Sequence, residues 1–525
     1  MDDEPKSDPT WKKYARRPIV IGVALLLVLA LSAAAYETFK RPPDVNRGEE
    51  VSFDPAQEQE RKRPAKQGRK PVNWPMFGFD RARTRNLDAN GIKPPFRRIW
   101  RYSDEPLLEF PPIYVNGVLY LIDNDGRAFA FDADNGRKIW TRKIAELNAS
   151  APAYSQGRLY IANLTPGQLL CLSAKNGRTI WKKELPARTE SSPVVVGNRV
   201  YFGAEDGNLY AVDKRNGRTI WTTGLAGAVK AAPAYANGTL YVGDYGGEMS
   251  AVRARDGQIE WQAGAQGASF SRTGAFYSTP AVAFGRVYSG NNDSRVYSFD
   301  AASGELAWTR STGGYVYSGP AVASTPTSPP TVYIGSFDGN IYALDARTGE
   351  TRWSNSAGGP VVGSLSVIGN TVYVASFDPK QTRGFAVGSG EQMFEYHTGA
   401  YMPVISDGKR IYLTGYSSLH VLEPISKKEQ KAQAQRKQAE AQRAKARQRA
   451  QKQRQRRARV AQAQRQRRAR VAQEQRRRAA RRARAQRQRR ASRAQEQRQR
   501  RARRARTAEQ RQGTPRRRAQ RRAQR

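Results

Sequence analysis

An eleven-residue pattern, Ala-x-Asp-x-x-x-Gly-x-x-x-Trp, recurs through the middle of this chain and restricts its folds more than any other feature. Its clearest copy is Ala130-Phe-Asp132-Ala-Asp-Asn-Gly136-Arg-Lys-Ile-Trp140. It returns with Asp213, Gly217 and Trp221, with Arg253, Gly257 and Trp261, with Asp300, Gly304 and Trp308, and with Asp345, Gly349 and Trp353. Weaker copies end at Trp181 and Phe394. With Trp100 added, the ring anchors are Trp100, Trp140, Trp181, Trp221, Trp261, Trp308, Trp353 and Phe394, spaced 40 to 47 residues apart. A period of this size marks a repeat architecture, in which each unit buries its apolar face only by stacking on its neighbours.

Each unit reads as four short strands. A small residue followed by Pro (Ala151-Pro152, Ser192-Pro193, Ala232-Pro233, Thr279-Pro280, Gly319-Pro320) leads into a β-branched or Tyr-bearing stretch. Turns such as Asn116-Gly117 and Asn237-Gly238, then Asp125-Gly126, Asp206-Gly207 and Asp338-Gly339, punctuate the strands, because Gly takes positive φ without a steric cost. Four strands per 40-odd residues with aromatic and Gly punctuation predicts an all-β propeller blade. Seven complete units end at 140, 181, 221, 261, 308, 353 and 394. The stretch Met402–Glu423 supplies three further strands, and the orphan Phe96-Arg-Arg-Ile-Trp100-Arg-Tyr102 can supply the fourth. The expectation is an eight-bladed propeller over 73–425, closed by pairing the two ends of the domain so that no sheet edge is left open.

The repeat resembles the tryptophan-docking motif of the pyrroloquinoline-quinone-like (quinoprotein-type) propellers, over about residues 73 to 424. The segment Asn73-Trp74-Pro-Met-Phe-Gly78-Phe-Asp80-Arg-Ala-Arg-Thr84 resembles that family's lead-in to the first blade. The resemblance implies eight blades with each Trp docked on the next blade. The family includes alcohol and sugar dehydrogenases, which hold the quinone with an adjacent Cys-Cys pair, a stacking Trp and a Ca²⁺ near a catalytic Asp. It also includes non-catalytic propellers, among them an outer-membrane assembly branch. This chain has one cysteine, Cys171, two histidines, and minimal loops, with the fifth and sixth blades only slightly longer than the rest. A scaffold without catalytic residues, cofactor or metal is therefore expected, and a quinone-dependent dehydrogenase is the alternative. Loops before the innermost strands place Asn148, Arg188, Glu190, Lys230, Arg272, Tyr277, Tyr317 and Tyr401 as candidates for lining a central funnel that takes an envelope protein.

The two ends read differently. Residues 1–17 form a short polar N-terminal segment, and the uncharged run Ile19–Tyr36 follows Lys12, Lys13, Arg16 and Arg17. Eighteen residues at 1.5 Å each give about 27 Å, close to a hydrocarbon core. The flanking charge favours a cytoplasmic N-terminus with the rest outside. This predicts a single-pass anchor over 18–36, or secretion after cleavage near Ala35, followed by a disordered spacer over 37–72. At the other end, 41 of the 90 basic and five of the 46 acidic residues lie between 427 and 525, a net of +36 against +8 for the remainder. Within the tail, 426–525, Gln-Arg-Gln-Arg-Arg-Ala recurs every 11 residues, a period of 3.67 per turn that suits an α-helix. Like-charge repulsion opposes that helix, so the tail is expected to be disordered or conditionally helical. Five arginine pairs are its candidates for holding anionic polymers or lipid headgroups: Arg456 with Arg457, Arg467 with Arg468, Arg477 with Arg478, Arg489 with Arg490, and Arg500 with Arg501. No aromatic interrupts them, which speaks against sequence-specific nucleic-acid readout. A monomer is expected.

Overall fold

The computed structural model describes residues 42–55 and 72–512, apart from 90, 104–105, 267–273 and 402. The predicted anchor over 18–36 lies outside them, and no helix among the described residues is long and apolar enough to cross a membrane. The strands from 86 to 424 form eight sheets, arranged as an eight-bladed propeller. Blades 1 to 7 span 113–143, 153–184, 194–224, 234–264, 281–311, 321–356 and 366–396, each running from the innermost strand outward. Blade 8 combines Ile405–Ser406, Ile411–Thr414 and Ser418–Pro424 with Phe96–Ser103 as its outermost strand. The closing register pairs Phe96 with Pro424, Trp100 with Val421 and Ser103 with Ser418.

The repeat motif is a docking device. The indole N–H of Trp100, Trp140, Trp181, Trp221, Trp261, Trp308 and Trp353 donates to the carbonyl of Ala133, Ala174, Lys214, Ala254, Ala301, Ala346 and Val387 on the following blade, at 3.0–3.1 Å. In five blades the second-strand tyrosine donates to the same carbonyl: Tyr160, Tyr201, Tyr241, Tyr288 and Tyr333. One oxygen therefore satisfies two buried donors, using both lone pairs. The motif Gly has two jobs. At Gly349 φ is +75°, and a Cβ would stand 2.6 Å from the Trp308 ring. The motif Asp is an Asx acceptor: Asp345 Oδ1 takes the N–H of Arg347 and Thr348 and so holds the turn in which Gly349 sits.

Residues 72–87 run round the inner face of the ring and touch every blade. Val72 donates to Asp407 of blade 8, and Trp74 forms a β-bridge with Tyr114 of blade 1. Tyr154 donates to the Pro75 carbonyl, and Arg81 Nε donates to the Val195 carbonyl. Tyr235, Val282, Val322 and Val367 donate to the carbonyls of Arg81, Ala82, Thr84 and Arg85. Asn86–Leu87 then adds a parallel strand to Ser366–Ile368 of blade 7. The innermost strands expose unpaired backbone groups toward the axis, and this segment satisfies them, as buried amides require.

One expectation needs correction. The spacer is not disordered throughout: residues 42–55 are laid against blade 5, and 56–71 lie outside the described residues. Asn46 forms an antiparallel bridge with Trp308, and Arg47 N donates to the Ala307 carbonyl at 2.7 Å. Arg286, itself buried, donates to the carbonyls of Ser52, Gly48 and Val51. Polar pairing of this kind leaves no apolar periodicity in the sequence. For the tail, expected to be disordered or conditionally helical, the structure has the helical form, a continuous α-helix over Lys427–Gln512. Ala, Arg and Gln favour helix, and the Arg side chains stand in water, where like charges repel weakly. Arg456, Arg457, Arg467, Arg468, Arg477, Arg478, Arg489, Arg490, Arg500 and Arg501 are all exposed along this helix. Two of them are not free cations, because Arg478 and Arg500 pair with Glu474 and Glu496 four residues earlier.

Candidate functional site

The axis is closed by side chains of the lead-in. Arg83 and Arg85 are fully buried, and their guanidiniums donate to carbonyls of the small-Pro segments. Arg83 reaches Ser192, Pro193 and Pro233, while Arg85 reaches Thr279 and Pro320. Burial pulls both guanidiniums down to a pKa of about 9, opposed weakly by Asp80. They remain charged at neutral pH, so a ring of carbonyl dipoles holds two cations on the axis.

Above this plug lies a small funnel lined by Phe77, Glu109, Phe110, Glu190, Lys230, Tyr277, Tyr317 and Tyr401, with small residues between them. Phe77 lies against the two guanidiniums, 6.0 and 5.3 Å from its ring centre. Lys230 Nζ is 2.8 Å from Glu190 and 3.1 Å from Glu205, and Arg188 completes the group at 2.9 Å from Glu205. Burial opposes the Lys230 charge, but Glu190 and Glu205 outweigh it and its pKa is raised. Glu109 accepts from Asn124 Nδ2 at 2.9 Å, and burial followed by the Glu190 charge raises its pKa. Tyr277 meets Tyr317 edge-on at 5.6 Å, and its hydroxyl lies 3.4 Å from Glu190. Outward from these, Tyr245, Tyr315, Phe337 and Tyr416 are 39–50% exposed and continue the aromatic surface onto the rim.

Of the eight funnel candidates, Glu190, Lys230, Tyr277, Tyr317 and Tyr401 line this cavity. Arg188 stands at the rim in its ion pair. Asn148 is a correction: its side chain is buried and donates to Ala162 and Asn163, serving the blade 1–2 junction. Arg272 lies outside the described residues. Phe77 was missed because the lead-in does not repeat, whereas Glu109 and Phe110 were overlooked although they stand at the repeat position of Glu190 and Ser191. The rim was traceable, since Glu205, Tyr245, Phe337, Phe377 and Tyr416 share one repeat position, the residue leaving the second strand.

The residues here do not fit the quinone set that the family resemblance implies. Cys171 is buried in the third strand of blade 2, remote from any second thiol. Among the described residues no group of three His, Cys, Asp or Glu is placed to hold a metal ion. The docking tryptophans are committed to carbonyls between blades. The floor of the funnel is Phe77, against which the chain's own guanidiniums are packed.

No curated protein matches the chain in sequence. Among solved structures it is similar to BamB from Moraxella catarrhalis, with a TM-score of 0.53 and 18% identity over 62% of this chain and 99% of that one. It is also similar to a europium-containing methanol dehydrogenase, with a TM-score of 0.57 and 13% identity over 68% and 98% of the two chains. A computationally designed protein, Ika8, shares the architecture at a TM-score of 0.51 and 15% identity, over 61% of this chain and 97% of that one. At such identities these likenesses establish the fold. The family model described as outer membrane protein assembly factor BamB matches residues 124–325 and 292–502, well over half of the sequence. Its blade count, its docking tryptophans and that match together place the chain in the BamB family of pyrroloquinoline-quinone-like propellers.

Proposed function

We propose that this protein is a non-enzymatic binding platform held outside the cytoplasm by the apolar segment at 19–36. In this reading the propeller takes a protein ligand at its funnel, and the basic tail holds anionic envelope polymers or lipid headgroups. The observation that carries the reading is the filled axis. Phe77, Arg83 and Arg85 occupy the space beneath the funnel, and Lys230, Glu190, Glu205 and Arg188 are spent on one another. What remains is an aromatic surface with a polar centre, the composition of a protein-recognition patch. Membership in a family described as an assembly factor supports a partner-binding role. The tail's part rests on charge alone: an exposed helix with arginines on all sides attracts polyanions by releasing their counterions.

The test uses the full chain, pyrroloquinoline quinone and Ca²⁺, with reduction of an artificial dye followed across alcohols and sugars. No turnover and no quinone binding are expected. Turnover would establish the dehydrogenase reading in its place.

A further inference from the structure

We propose that the funnel is a receptor for one cationic side chain, lysine or arginine, presented by a partner protein, with Glu109 as its counter-charge and Phe110, Tyr277, Tyr317 and Tyr401 as its walls. This rests on the scaffold reading and names the chemistry of the ligand.

The charge balance points to a cation. Around the funnel, Glu109, Glu190 and Glu205 face Lys230 and Arg188. The two bases engage Glu190 and Glu205, and Glu109 forms no salt bridge among the described residues. Its partner is the neutral amide of Asn124. A half-buried carboxylate with a neutral partner gains most from an incoming ammonium or guanidinium. The raised pKa of Glu109 agrees with this, since burial and Glu190 both work against its charge. The axial guanidiniums do not take this role: neither lines the funnel, both donate to backbone carbonyls, and the Phe77 ring packs against them.

The walls suit the same ligand. Aromatic faces attract cations through their quadrupoles, most strongly where water is excluded. Tyr277 and Tyr317 meet edge-on at 5.6 Å, Tyr401 packs on Phe377 at 5.0 Å, and Phe110 packs on Phe77 at 5.7 Å. The site already uses this contact internally, with Lys230 Nζ 5.5 Å from the Tyr245 ring centre. The rim argues for a protein over a free amine. Tyr315 joins Tyr317 at 5.7 Å and Phe337 at 6.4 Å, so exposed rings run outward from the cavity. An anchor in a pocket with a ring of aromatic contacts around it is the layout of an interface hot spot.

The full-length protein is titrated with acetyl-Gly-Arg-Gly-amide, acetyl-Gly-Lys-Gly-amide and the isosteric norleucine peptide, followed by tyrosine fluorescence and calorimetry. The cationic peptides should bind with the norleucine peptide at least about tenfold weaker, and Glu109→Gln should weaken the cationic peptides about tenfold or more. Tyr401→Leu should weaken them about threefold to tenfold through the lost ring face. Melting of both variants is measured alongside, and Glu109→Gln, nearly isosteric, should melt as the parent does. Equal binding of the norleucine peptide, or unchanged binding by Glu109→Gln, overturns the proposal. Either result leaves the scaffold reading in place, because that reading falls on quinone turnover, which this titration does not measure.

Discussion

Replacing Gly349 by Ala and Gly117 by Ala separates the two demands on glycine in this fold. Both residues have positive φ, +75° and +86°. Ala at either position therefore bears the left-handed penalty, about 1–2 kcal/mol. They differ in surroundings. A Cβ at Gly117 meets nothing within 4 Å, whereas one at Gly349 stands 2.6 and 2.7 Å from Cδ2 and Cε3 of Trp308. That ring cannot retreat: Trp308 is fully buried, its N–H is bound to Ala346 at 3.1 Å, and Asn46 bridges its backbone. Overpacking of this kind costs about 1–3 kcal/mol further. Gly349→Ala should then lose about 2–5 kcal/mol and Gly117→Ala about 1–2 kcal/mol. Urea unfolding followed by tryptophan fluorescence reads both, provided the slopes match that of the parent. Equal losses at the two positions would show that the motif glycine serves only its backbone conformation and that ring docking adds nothing to it.

Deleting residues 96–102 removes the outer strand of blade 8 and the Trp100 dock on Ala133, so melting should fall by the equivalent of about 2–3 kcal/mol from the half-buried ring and its hydrogen bond alone. His420, buried and near Arg98 and Arg101, has its pKa pulled down from 6.5 to about 4, chiefly by burial. The unfolded chain takes up that proton first, so His420 contributes fully above pH 6.5 and loses its contribution as pH falls toward 4; a His420→Gln variant should show a flatter stability profile over that window. Truncation after Pro424 should abolish heparin binding that falls steeply with salt, and should leave the propeller's melting unchanged; retained binding would deny the tail its proposed role.

The propeller was legible because its requirements are local and periodic. Asp345, Gly349 and Trp353 sit at fixed spacing since each serves one turn or one dock, and the same needs recur in every blade. The site was legible only where it shares that period. Glu190, Lys230, Tyr277, Tyr317 and Tyr401 fall at one repeat position, and the fold converges them because that position always precedes the innermost strand. Glu109 falls at that same position in blade 1, four residues before Ile113, and Phe110 follows it where blades 2 to 7 carry a small residue. Only Phe77, in the lead-in, has no counterpart in the blades. Arg83 and Arg85 look like ordinary surface cations in a basic lead-in. Only the carbonyls that converge on them from the entries to blades 3 to 6 make their burial possible. Residues 42–55 were read as spacer for a related reason: Arg286 holds them through backbone carbonyls, which every residue carries and no sequence displays.

Phe394 shows how a break in the period can itself carry structural information. Seven docks use an indole and the eighth uses a phenyl ring. In blades 1 to 7 the turn between the third and fourth strands supplies the accepting carbonyl. Blade 8 has no such turn, because its third strand ends at Pro424 and its fourth comes from Phe96–Ser103. An indole at 394 would face a blade without the acceptor that its seven counterparts use, and a buried unsatisfied donor costs about 1–3 kcal/mol. Phe394 avoids that cost and packs edge-on against Phe96 at 5.4 Å instead. The neighbouring Tyr373 did not change with it. Its hydroxyl, which in five other blades shares the docking carbonyl, is buried here with no hydrogen-bond partner among the described residues. The missing indole, the orphaned hydroxyl and the split blade are thus one consequence of closing a ring from both ends of the chain, and the first of them was visible in the sequence as a single letter out of register with the rest.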